Sequence, residues 1–100
     1  MKISGLDIDE GNRVKIQKHG VSIELIETLF TGEYFVAHDE RHSDSEDRFL
    51  SVGQVGKKFL FVSFTVRAKD GKMYFRPISA RFARVKEVRR LYEKIYKETE

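Results

Sequence analysis

One hundred residues, 35% charged and 40% hydrophobic with a net charge of +3 and no cysteine, leave room for one core and not for two. The lack of cysteine excludes disulfide staples and thiolate metal sites, and it fits a reducing compartment. The opening MKISGLDIDE has no apolar run of signal-peptide type and the longest apolar stretch, residues 59–64, is too short to span a bilayer, so a single cytoplasmic domain over 1–100 is expected, with no membrane partner.

The charge is unevenly placed. Residues 1–56 carry six Lys/Arg against eleven Asp/Glu, a net of −5, and residues 57–100 carry thirteen against five, a net of +8. Clustered cations lower the free energy of a nearby polyanion, which makes the C-terminal half the candidate for phosphate contact. A solvated lysine-rich surface has the same composition, and charge alone leaves the two open.

In chain order, the first predicted element is a short helix after Asp9, whose carboxylate suits the free N–H groups of a first turn. Gly20 is placed to stop it in a left-handed conformation. Ser22 caps a second helix to about Thr31, with Ile23, Ile26, Leu29 and Phe30 as its apolar stripe and Val21 and Ile26 at hydrophobic-staple spacing. Strand signals follow at 34–37, 48–55 and 58–67, the last containing FLFVSF, apolar enough for a central strand. Gly56-Lys57 reads as a hairpin turn, and Asp70-Gly71 as a type I′ turn. The strand at 73–80 contains the only proline, Pro77, which lacks a donor and points to an edge or a bulge. Plain alternation puts Tyr74, Arg76, Ile78 and Ala80 on one face and Phe75, Pro77, Ser79 and Arg81 on the other, a count that a bulge would change. From 83 to 98 the period returns to 3.6, with Val85, Val88, Leu91, Tyr92, Ile95 and Tyr96 on one side. The predicted fold class is α+β: two N-terminal helices, an antiparallel sheet of three to four strands, and a C-terminal amphipathic helix.

Three groups of residues could carry chemistry. Residues 38–48, HDERHSDSEDR, hold no apolar side chain and so form a surface loop. It is either a plain solvated connection or the source of an acid/base pair, His42 and Glu46, with Arg48 holding one of them. Arg67, Arg76 and Arg81 lie along the last two strands near apolar neighbours, where an arginine is costly unless its fork is used by a carboxylate or by a phosphate. Lys18-His19-Gly20 ends the first helix, where a cation is favoured by the helix dipole, so His19 reads as a capping residue ahead of the alternative, a catalytic one. No zinc-ligand spacing, glycine elbow or nucleotide fingerprint is present, so no metal and no cofactor are expected. One reaction on RNA needs neither: the 2′-OH attacks its own neighbouring phosphate, given a base, an acid and cations around the developing dianion.

With these residues in view, the chain resembles the BrnT family of type II toxins. The resemblance runs through DEGNRVKIQKHGVS at 9–22, HSDSEDRF at 42–49, FVSFTVR at 61–67, RPISAR at 76–81 and EVRRLYE at 87–93. It implies a RelE-like fold and a ribonuclease that arrests translation, acting on free RNA or at the ribosome. A BrnA-like antitoxin would neutralise it and would alone meet operator DNA. His42, Glu46 and Arg48 match the family's HSxxExR stretch, and Arg67 and Arg81 match its strand-end arginines. In this reading His42 or Glu46 takes the 2′-OH proton, and Arg67 and Arg81 hold the scissile phosphate. Lys18, Arg48 and Arg76 contact the rest of the RNA. Ile8 stands where members of the family usually carry a tryptophan. The alternative is a module that binds nucleic acid or protein without chemistry.

Overall fold

The two N-terminal helices begin where their caps are. Asp9 accepts a hydrogen bond from the Gly11 N–H at 2.8 Å and starts α1 (Glu10–Gln17). Ser22 accepts from the Leu25 N–H at 3.2 Å and starts α2 (Ile23–Thr31), closing off one of the free donors of that first turn. Between them Gly20 takes φ +80, and Val21 and Ile26, the staple pair, are both buried in one cluster.

The computed structural model describes residues 3–39 and 46–99, with side chains described as far as 94. Around the helices run strands β1 (Ile3–Leu6), β2 (Phe35–His38), β3 (Phe49–Val55), β4 (Lys58–Lys69) and β5 (Lys72–Ala83), and the chain ends in α3 (Val85–Thr99). They form one five-stranded sheet in the order β1-β5-β4-β3-β2. The expected sheet of three to four antiparallel strands is corrected in two respects. There are five strands, and β1 runs parallel to β5, with Ile3 opposite Met73 and Leu6 opposite Phe75. The sheet is therefore mixed. Four residues containing Ser4 and Gly5 carry no period-2 signal, and their partner lies at the far end of the sequence.

The hairpins follow the turn residues. Asp70 and Gly71 have φ of +51 and +77, as a two-residue type I′ turn requires, and Lys69 pairs with Lys72 across it. Pro77 sits beside a bulge: Ser63 pairs with Ser79 but Phe64 pairs with Pro77, which leaves Ile78 as the extra residue.

Helices cover both sides of the sheet. On one side Ile16, Val21, Ile26 and Leu29 pack against Leu60, Val62 and Ala80. Gly53 lets α2 approach here, since a Cβ on it would collide with Leu29 and with the Glu33 carbonyl oxygen. On the other side Val88, Leu91 and Tyr92 of α3 pack against Leu50, Val52, Phe59 and Phe61, and Tyr92 meets Phe35 at 4.6 Å between ring centroids. Val85, expected on this inward face, is the first residue of the helix and is instead 63% exposed.

Candidate nucleic-acid interface

Cross-strand partners point to the same side of a sheet, so the register decides which functional side chains meet. The bulge at Ile78 reverses the alternation expected for β5. Arg76 pairs with Thr65 and Arg81 with Phe61, and Thr65, Phe61 and Arg67 alternate along β4. Arg67, Arg76 and Arg81 therefore share the α3 face. Phe75, Pro77 and Ala80 turn to the other side, where all three are buried. α3 covers one part of its face, and β4 and β5 extend beyond it.

Each of the three arginines has a carboxylate. Arg81 lies 4.9 Å from the centre of the Phe61 ring, and its two terminal nitrogens donate to Glu87 at 3.0 and 2.6 Å. Glu87 also accepts the Arg84 N–H at 3.1 Å, closing the first turn of α3 in the manner of half a capping box. The hydrogen bond from Arg81, and then that from Arg84, pull the Glu87 carboxyl down to about 2, and Glu87 in turn raises the Arg81 pKa. Arg67 is 3.3 Å from Glu46 in a pair exposed at 40% and 43%. Its Nε and the Thr65 hydroxyl are buried and have no hydrogen-bond partner among the described residues.

Arg76 donates to Asp7 through Nη2 at 2.8 Å and Nε at 3.1 Å, and Lys69 reaches the other oxygen of Asp7 at 2.9 Å. The bonds from Lys69 and Arg76 hold the Asp7 carboxyl below its ordinary value. With side chains exposed at only 20% and 12%, the Arg76–Asp7 pair ties the end of β1 to the β4–β5 hairpin, where the Asp7 N–H also donates to the Phe75 carbonyl at 2.8 Å.

The remaining site residues fall as follows. His42 lies outside the described residues. Glu46 is exposed at the entry to β3 and meets Arg67. Arg48 is half-buried just before β3, two residues ahead of Leu50. Lys18 is the exposed C-cap of α1. Arg67 and Arg81 share a face but not a place on it. Arg81 stands opposite Phe61, six residues before Arg67 on β4, or about 20 Å of strand.

His19 is the residue that sequence periodicity did not mark. Its expected role was to cap α1, but Lys18 caps that helix. His19 instead lines a pocket of about 130 Å³ with Leu50, Phe61, Ser63, Ser79, Ala80 and Arg81. Its only sequence signal was its place in Lys18-His19-Gly20, where a turn follows a helix.

Among the described residues no three His, Asp or Glu side chains converge as metal ligands, and no helix is long and apolar enough to cross a membrane.

The fold and this face define a small α+β protein built on a five-stranded mixed sheet, with an arginine-bearing surface beside its C-terminal helix. Residues 9–87 match the family model described as ribonuclease toxin, BrnT, of type II toxin-antitoxin system, and the chain belongs to that family. It is thus a ribonuclease toxin of a type II toxin–antitoxin system, a class whose members act on RNA and have an antitoxin protein as partner. No curated protein matches the chain.

Proposed function

We propose that the chain is a cytoplasmic endoribonuclease with a RelE-like arrangement that cuts RNA without a metal on the open part of the α3 face, and that a BrnA-like antitoxin neutralises it. Translation stops because messenger RNA is cut, free or on the ribosome. The observation that carries this reading is the bulge at Ile78, which brings Arg67 and Arg81 to one face. The pair Arg67–Glu46 is open to solvent, and such a pair is worth only about 0–1 kcal/mol, so a phosphate can take the guanidinium from Glu46 at little cost. That exchange lets Arg67 anchor one phosphate of the bound strand. The roughly 20 Å of strand between Arg67 and Arg81 assigns them to different phosphates of one RNA strand. Arg76, committed to Asp7, serves the fold first.

The test is purified protein incubated with RNA, with and without EDTA. Chelator-insensitive cleavage, lost in Arg81→Ala and weakened in Arg67→Ala variants that keep their melting temperature, is expected. Cleavage abolished by EDTA would remove the metal-free mechanism. Tight RNA binding with no cleavage would leave a binding module.

A further inference from the structure

We infer that His19 is a catalytic base of this ribonuclease, working in the pocket it shares with Arg81, Ser63 and Ser79. The inference rests on the ribonuclease reading and adds to it the place of the cut and the group that moves the proton.

β1 stops opposite Phe75, so the rest of the β5 edge is flanked by α1 rather than by a strand. α1 ends at Gln17, and Gly20, with φ +80, turns the chain away into α2. Of the two residues left between them, Lys18 and His19, it is His19 that faces the β5 edge and reaches the level of Ser79 and Arg81. A helix from one side of the sheet thus supplies an imidazole to a pocket on the other. Among the described residues His19 and Arg81 are the only ionisable side chains lining it. Ser63 and Ser79 are cross-strand partners, which places two hydroxyls side by side. Among the described residues neither hydroxyl nor the imidazole has a hydrogen-bond partner. The pocket volume, about 130 Å³, equals roughly four waters of liquid, the scale of one phosphodiester group.

The four polar groups match what one phosphate needs. Glu87 takes one N–H from each terminal nitrogen of Arg81 and the Phe82 carbonyl accepts from Nη1 at 3.5 Å, which fixes the guanidinium and leaves the Nε N–H and the second Nη2 N–H for a phosphate oxygen. The serine hydroxyls can donate to the second non-bridging oxygen. Imidazole is the side chain best matched to proton exchange near neutral pH. As O2′ bonds to phosphorus, the 2′-OH proton passes to the neutral His19 ring. The P–O5′ bond breaks, and water supplies the proton to O5′. The products are a 2′,3′-cyclic phosphate and a 5′-OH end, and His19 returns its proton to solvent. Arg81 and the serines stabilise the charge on phosphorus meanwhile.

The experiment uses the full chain and an RNA oligonucleotide whose cut site is mapped with the wild type. His19→Gln should lower kcat by about 10²–10⁴-fold, with KM and melting temperature close to wild type. A 2′-deoxy nucleotide at the cut site should block the wild type. A His19→Gln protein that cuts within about threefold of wild type overturns the inference and leaves the ribonuclease reading standing. So does a loss confined to KM, which would make His19 a binding residue. His19→Ala, which asks less of the local packing, is read in the same way should the glutamine variant fold poorly. A wild type that cuts no RNA, free or ribosome-bound, overturns both readings.

Discussion

Arg81 holds Glu87 by two hydrogen bonds, and the same carboxylate closes the first turn of α3 through the Arg84 N–H. One carboxylate therefore sets the direction of the Arg81 guanidinium and the start of the helix that packs on the same face. Its pKa lies at about 2 against an ordinary 4.5. A carboxyl depressed by folding adds stability above its unfolded pKa, and that contribution is lost as pH falls through the folded value. The gap in melting temperature between wild type and Glu87→Gln should thus be full above about pH 5 and shrink between pH 4.5 and 2. A gap that stays constant over that window would show that the ion pair is not its source.

Asp7 follows the same sign by a different route. Lys69 and Arg76 hold its carboxyl below the ordinary 3.8, so its contribution is present above that value and lost in stronger acid. Asp7→Asn should loosen β1 from β5. Faster amide hydrogen exchange in residues 3–6 at neutral pH, with β3 and β4 unchanged, is the expected result. Unchanged protection of β1 would mean that its backbone pairing suffices.

Arg67 and Glu46 test whether an exposed ion pair serves stability or chemistry. A double-mutant cycle on stability should return a coupling of about 0–1 kcal/mol. RNA cleavage by Arg67→Ala should fall through a raised KM with kcat nearly kept, as when a contact made equally in the ground and transition states is removed. A large stability coupling with full cleavage would make the pair a strut.

Gly53 marks the closest approach of α2 to the sheet. Its φ is not positive, so the constraint is space: an added methyl meets Leu29 and the backbone of Glu33. Gly53→Ala should destabilise by about 1–3 kcal/mol, as overpacking does, in denaturant titration. A neutral result would mean that α2 can move outward freely.

Ile8 lines an open groove of about 450 Å³ together with Leu6, Phe30, Tyr34 and Phe75. A larger apolar side chain there has room, and filling such space commonly adds about 0.5–2 kcal/mol. Ile8→Trp should therefore raise the midpoint of unfolding. A lowered midpoint would show the groove to be well matched to isoleucine as it stands.

The amino-acid sequence by itself determined the local structure. Asp9 and Ser22 set both helix starts, Asp70-Gly71 set the hairpin, and the 3.6 period set α3, because caps, turns and stripes act between residues a few positions apart. The resemblance to the BrnT toxins was also legible there, carried by motifs spread along the chain. Tertiary structure alone decided the rest. β1 became a strand only through β5, at the other end of the chain. A single extra residue at Ile78 moved Arg81 onto the face that Arg67 and Arg76 already share, since a one-residue shift reverses every side chain that follows it. The partners Asp7 for Arg76 and His19 for the Arg81 pocket are likewise distant in sequence. Such contacts form by packing the sheet, and no local pattern encodes which of many carboxylates or imidazoles will arrive.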